Sequence, residues 1–150
     1  MQLLKKIITQ FPLNEFIKFC IVGSTGVIVD MGFIWLLADP RMLGLNVSIS
    51  KGIAAEIALI SNFFLNNFWT FKNRREEIEG VKIITKRLIK FNAICGIGII
   101  LGILLINLFY KTLGLNLYLS NLLAIGIVTI WNFGLNIKYN WIKDDKNRQP

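Results

Sequence analysis

The 150-residue chain has no histidine, two cysteines, three prolines and only 17% charged side chains. Without histidine it lacks the side chain that most often serves as general base or metal ligand near neutral pH. Cys20 and Cys95 have no zinc-type spacing. They fall in apolar segments, where small packing residues are expected rather than a disulfide or a ligand pair. No glycine-rich nucleotide loop is present either. The expectation is a protein that is not an enzyme and uses no cofactor.

The shortage of charge is matched by 54% hydrophobic residues, a composition far from that of ordinary soluble domains. A bilayer core about 30 Å thick requires roughly 20 mostly apolar residues in a helix. Four such segments can be drawn, at about 17–38, 48–68, 91–110 and 118–138. They use most of the chain, so the predicted fold is an all-α integral membrane protein of four transmembrane helices. The N-terminal MQLLKKIITQFPLNE is too short and too polar for a signal-peptide core, which predicts insertion through the first span. A short interfacial amphipathic helix is the other reading of those residues.

A net charge of +8 raises the question of nucleic acid, but the placement of the charges answers it. Lys72, Arg74, Arg75, Lys82, Lys86, Arg87 and Lys90 fill a basic loop at about 72–90, and Lys143, Lys146 and Arg148 lie in the tail. The opposite side offers Arg41, Lys51 and Lys111. The positive-inside rule therefore predicts cytoplasmic N- and C-termini and a cytoplasmic central loop. These cations meet anionic membrane lipids, and no nucleic-acid partner is expected.

Residues 43–71 align with residues 113–141 at a constant offset of 70. Gly44, Leu45 and Asn46 match Gly114, Leu115 and Asn116, Ser50 and Ala54 match Ser120 and Ala124, and Asn62, Phe63, Leu65 and Asn66 match Asn132, Phe133, Leu135 and Asn136. Spans one and three correspond at an offset of 72, where Ile17, Lys18, Phe19 and Gly26 match Ile89, Lys90, Phe91 and Gly98. The unit is a helical hairpin used twice. Each unit crosses an even number of times, so the two hairpins are predicted to be parallel repeats, unlike the inverted repeats of many transporters. Gly23, Gly26 and Asp30 share one stripe of the first span, and small residues on a stripe let helices approach closely in lipid.

Several polar residues sit where lipid excludes them. A carboxylate near the centre of a span costs about 2.5 to 3.5 kcal/mol on insertion scales, so Asp30 and Glu56 need partners or a role. Lys51 can reach both by its long stem, as a structural cluster or as a midplane ligand site. Asn62 and Asn66, at i and i+4, place two carboxamides on one helical face, and Asn132 and Asn136 repeat the arrangement. Carboxamides both donate and accept, so they serve equally as interhelical contacts or as partners of a polar head group. Trp35, Trp69, Trp131 and Trp141 read as interface anchors or packing residues.

The chain resembles the GtrA-like proteins, small four-span membrane proteins of bacteria and archaea. Three stretches carry the resemblance: the opening FIKFCIVGSTGVIVD at residues 16–30, the signature Asn62, Phe63, Asn66, Trp69 and Phe71, and its weaker copy Asn132, Phe133, Asn136, Tyr139 and Trp141. The resemblance implies transfer of a polyprenyl-phosphate-linked sugar across the cytoplasmic membrane for modification of surface glycans. It also implies partnership with a polyprenyl-phosphate glycosyltransferase. Where the family commonly carries Arg after the second signature Asn, this chain has Asn67 and Ile137. Lys72, Arg74, Arg75 and Lys138 then become the candidate phosphate-attracting charges.

On this reading the head group travels along Asn62, Asn66, Asn132 and Asn136, with Asp30, Lys51 and Glu56 further out. Four short helices enclose little space, so self-association into a homo-oligomer would supply further walls. Two other readings stay open. One is a scaffold that holds a glycosyltransferase at the membrane through the basic loop without transporting anything. The other is a small proton-coupled multidrug exporter built around Glu56.

Overall fold

A computed structural model describes residues 12–74 and 80–141. The expected features of the N-terminal stretch before Pro12, together with Arg75, Lys143, Lys146 and Arg148, lie outside the described residues. The described chain is helical, in two units that divide after Lys72, each a hairpin of two long helices. Among the described residues, four helices are long and apolar enough to cross a membrane.

In the first hairpin, α1 spans Leu13–Ala38 and α2 spans Val47–Leu65. Pro12 precedes α1, where its missing N–H costs nothing, and its carbonyl accepts the Phe16 N–H at 2.9 Å. At 26 residues α1 is about 39 Å long, ample for a bilayer core. It stops at Asp39, whose extended backbone and following Pro40 cannot continue a helix. Gly44 then turns the chain at φ +58°, a conformation that costs a side-chain-bearing residue about 1–2 kcal/mol. Asn46 caps α2, its side-chain oxygen accepting from the N–H groups of Ser48 at 3.0 Å and Ile49 at 3.3 Å.

The second hairpin repeats this order. Here α3 spans Val81–Asn107 and α4 spans Leu117–Tyr139. A π-turn, Leu108–Thr112, ends the first helix, Gly114 sits at φ +68°, and Asn116 accepts from Tyr118 N–H at 2.9 Å and Leu119 N–H at 3.4 Å. The helix begins at Val81 and not at Phe91, because Lys and Arg are good helix formers although they end a count of apolar residues. Lys82, Lys86, Arg87 and Lys90 therefore stand on a helix, and only part of the basic segment 72–90 is a connection.

Each hairpin closes on a narrow seam. Phe19, Val22 and Gly26 of α1 are buried, as are Ser50, Ala54, Ala58 and Phe63 of α2. Phe91, Ile94 and Gly98 of α3 and Ser120, Ala124 and Phe133 of α4 occupy the matching places. Small residues in these seams let backbones pack closely. The large aliphatic side chains stay outside, among them Ile28, Ile99, Leu104 and Leu122, each more than half exposed. That distribution suits lipid as the surrounding medium and would be an association hazard in water.

Candidate functional site

The asparagines of the two signature motifs lie at the end of each hairpin opposite its glycine turn. In the first hairpin α2 passes into a π-turn, Asn66–Thr70, which closes with Phe71 N–H on the Asn66 carbonyl at 2.8 Å. Such turns inside helices occur often at functional sites. Here Asn66, Asn67, Thr70 and Phe71 are all buried, and the Phe71 ring lies 6.2 Å from Phe19 of α1. Asn67, where the resemblance led one to expect Arg, is fully buried at 0%.

One turn deeper, the Asn62 carboxamide lies against Gly26 so closely that a Cβ there would overlap Nδ2, Oδ1 and Cγ. In the second hairpin Asn132 lies against Gly98 in the same way. The buried oxygens Asn62 Oδ1, Asn66 Oδ1 and Asn132 Oδ1 accept no hydrogen bond among the described residues. The shortage has a cost, since an unsatisfied buried acceptor forfeits about 1–3 kcal/mol. It also leaves three acceptors inside otherwise apolar helices.

The second hairpin carries a longer polar series. Asn140 Nδ2 donates to Asn136 Oδ1 at 2.7 Å, and Asn136 Nδ2 donates to the Asn132 carbonyl at 2.8 Å. Asn140 Oδ1 is buried and receives no hydrogen bond among the described residues. Trp141 N–H reaches the Asn136 carbonyl at 3.0 Å, and the Trp141 ring lies 6.2 Å from Phe91. Trp141 is thus a core residue at 0% exposure, whereas Trp35, Trp69 and Trp131 are exposed.

Of the three charges expected further out, Lys51 Nζ and Asp30 Oδ2 form an ion pair at 2.5 Å. Glu56 is exposed on α2, five residues past Lys51. Lys72 is exposed in a short 3-10 turn with the half-buried Arg74, and Lys138 is exposed on the last turn of α4.

Three further cations, Lys18, Lys90 and Arg87, were not among the candidate site residues read from the sequence. Lys18 Nζ lies 5.6 Å from the Trp69 ring centroid in the first hairpin. In the second, Lys90 Nζ donates to the Tyr139 carbonyl at 3.2 Å, Lys138 Nζ lies 5.3 Å from the Tyr139 ring, and the Arg87 guanidinium carbon lies 5.8 Å from the Trp141 ring. The signal was in the repeat, because Lys18 corresponds to Lys90 and Trp69 to Tyr139. Thr70 and Asn140 correspond likewise, but a pair that is not identical does not draw the eye.

Comparison with known families matches residues 18–141 to the GtrA/DPMS transmembrane domain. The chain belongs to this family. The match takes in all four helices and both asparagine motifs, so the chain is a multi-pass membrane protein of the GtrA/DPMS type. It is also similar to a protein of Pyrococcus furiosus (strain ATCC 43587 / DSM 3638 / JCM 8422 / Vc1) named dolichol-phosphate mannosyltransferase, with 32% identity over 130 residues. That alignment covers 85% of this chain but 33% of the relative, so the chain spans about a third of its length.

Proposed function

We propose that the protein translocates a polyprenyl-phosphate-linked sugar from the inner to the outer leaflet of the cytoplasmic membrane, in support of surface-glycan modification, without catalysing a covalent step. Family membership and the name of the Pyrococcus relative support the polyprenyl-phosphate sugar as cargo and a polyprenyl-phosphate glycosyltransferase as partner. The observation that carries the reading is the set of buried carboxamide oxygens without donors, Asn62, Asn66 and Asn132, in helices long enough to span lipid.

Moving a phosphosugar bare through hydrocarbon is costly, so a translocator must offer hydrogen-bonding groups along the way. The carboxamides supply them to hydroxyl and phosphate oxygens alike. With the basic face in the cytoplasm, Lys72, Arg74 and Lys138 attract the phosphate before the carboxamides take the head group. Asp30, Lys51 and Glu56 stand toward the far leaflet. Consumption of the sugar on the outer face would be enough to drive net flux.

A second reading, a scaffold for the glycosyltransferase, is favoured by the relative itself, since the region similar to this chain is a third of a longer protein named as a transferase. Reconstitution separates the two. Purified protein in vesicles is expected to expose a labelled polyprenyl-phosphosugar to an outside reagent; enzyme recruitment with no exposure would leave only the scaffold.

A further inference from the structure

The ion pair in the first hairpin is only half satisfied. Lys51 Nζ holds Asp30 Oδ2 at 2.5 Å, while Asp30 Oδ1 is buried and accepts from nothing among the described residues. An ionised carboxylate offers about four lone-pair sites, and the Lys51 ammonium has two N–H groups beyond the one it gives to Asp30. An open acceptor therefore lies beside open donors. Asp30 stands about 12 Å along α1 from its end at Ala38, and Lys51 about 6 Å along α2 from its start at Val47. Both belong to helices apolar enough to cross a membrane, where a carboxylate oxygen without a donor is unfavourable.

Closure of the hairpin does not account for the pair. At the offsets of the repeat, Gly102 and Asn121 stand in the places of Asp30 and Lys51, and a Cβ at Gly102 would make only ordinary contact with Val128 Cγ2 at 3.5 Å. The second hairpin still buries Ser120 and Ala124 as the first buries Ser50 and Ala54. Packing leaves the charges unexplained.

The charges themselves restrict what can bind. An anion drawn to Lys51 meets the Asp30 carboxylate, and a cation drawn to Asp30 meets the Lys51 ammonium. A neutral group rich in hydroxyls meets neither obstacle, because each hydroxyl both donates and accepts. Neighbouring hydroxyls on one ring match the pair, and hydrogen bonds to its charged groups are stronger than those between neutral ones.

We infer that Asp30 and Lys51 form a sugar subsite, in which Asp30 Oδ1 accepts from one hydroxyl of the carried sugar and Lys51 Nζ donates to the next. The hydroxyl reaches Oδ1 as the Lys51 side chain, 57% exposed, shifts on its flexible stem. The subsite rests on the translocation reading for its cargo, and it assigns this pair to the sugar and not to the phosphate.

The test uses the full chain in nanodiscs of neutral phosphatidylcholine. Affinity is measured for polyprenyl phosphate and for polyprenyl phosphates carrying mannose, glucose, galactose or arabinose, so that the ratio isolates what the sugar adds. At least one sugar is expected to tighten binding about tenfold to a hundredfold, as hydrogen bonds to charged groups do. Lys51→Met combined with Asp30→Asn should remove most of that gain while binding polyprenyl phosphate as the unaltered protein does. Asn121→Met, at the place of Lys51 in the second hairpin, should keep it.

No gain from any of the sugars, a gain kept in full by the double variant, or an equal loss in Asn121→Met would overturn the proposal. So would phosphatidylethanolamine that competes as well as the sugar-bearing lipid, since its ammonium and phosphate would satisfy the pair as a zwitterion. Should the double variant fail to fold, Asp30→Gly with Lys51→Asn takes its place with the same expected loss, because it copies the residues of the second hairpin. Vesicle flux keeps the two readings apart. A sugar gain without flux in the unaltered protein removes translocation and leaves the subsite; flux without a sugar gain removes the subsite and leaves translocation.

Discussion

The side chain of Asn62 rests on the backbone of Gly26, and that of Asn132 rests on Gly98. Each pair joins the two helices of its hairpin where the absence of a Cβ opens space for a carboxamide. The glycine and the asparagine are therefore one feature, and neither column of the repeat is explained alone.

Replacing either glycine by alanine should drive the carboxamide out of place. Gly26→Ala and Gly98→Ala are each expected to lower stability by about 1–3 kcal/mol, the usual cost of overpacking. Gly23→Ala and Gly126→Ala, where nothing lies within 4 Å of the added carbon, should be neutral or mildly stabilising. Thermal unfolding in detergent measures this. Combining Gly26→Ala with Asn62→Ala should recover most of the loss, because the clash needs both partners.

Asn66 and Asn136 hold matching places but different bonds. Asn136 donates to the Asn132 carbonyl and accepts from Asn140, whereas Asn66 Oδ1 accepts from nothing among the described residues. Asn136→Leu is thus expected to destabilise by about 1–3 kcal/mol through the stranded Asn140 amide, and Asn66→Leu to cost less. Both should abolish exposure of the labelled lipid-linked sugar in vesicles while remaining inserted. Normal flux in both would reduce the amides to packing.

Much of this architecture was open to reading because lipid simplifies the rules. Helices were legible from apolar length, and the residues matched in the sequence, Gly44 and Gly114, Asn46 and Asn116, and Asn62 and Asn132, have like conformations or contacts in their own hairpins. The site was legible only in part. Contacts between different residue types, such as Lys90 on the Tyr139 carbonyl or Arg87 over Trp141, leave no periodic trace in one helix. They arise from how two helices are set side by side, and a single sequence records that only through its repeat. The start of α3 at Val81 was missed for a related reason, since charged residues end an apolar run without ending a helix.

The ion pair between Asp30 and Lys51 belongs to the first hairpin; at the offsets that relate the repeats, Gly102 and Asn121 stand in those places. Asp30 is the more enclosed partner, with 22% of its side chain exposed against 57% for Lys51. Lys51→Met should therefore be more harmful than an exposed pair would suggest, leaving a carboxylate in an apolar span at a cost of up to about 2.5–3.5 kcal/mol. Lys51→Met with Asp30→Asn should recover most of that loss, since removing both charges leaves no lone ion. Membrane-inserted yield and thermal unfolding of the three variants measure the coupling, and equal damage from single and double changes would dismiss it.

The glycine turns offer a test in which backbone conformation and capping separate. Gly44 and Gly114 have φ of +58° and +68°, and each is followed two residues later by a capping asparagine. A Cβ at Gly114 would meet nothing within 4 Å, and at Gly44 only the Pro40 Cα at 3.7 Å, so the alanine penalty is conformational and not steric. Gly44→Ala and Gly114→Ala should each cost about 1–2 kcal/mol, and Gly114→Asn less, because asparagine tolerates this backbone region better than alanine. Asn46→Ala and Asn116→Ala should each cost about 0.5–2 kcal/mol by stranding the first amides of α2 and α4, while Asn46→Asp should retain the cap. These substitutions lie at the end of each hairpin away from Asn62 and Asn132. They should lower unfolding temperature while lipid-sugar flux, measured at a temperature where the variants stay folded, remains near that of the unaltered protein. A loss of flux without a loss of stability would instead place the turns in the path of the cargo.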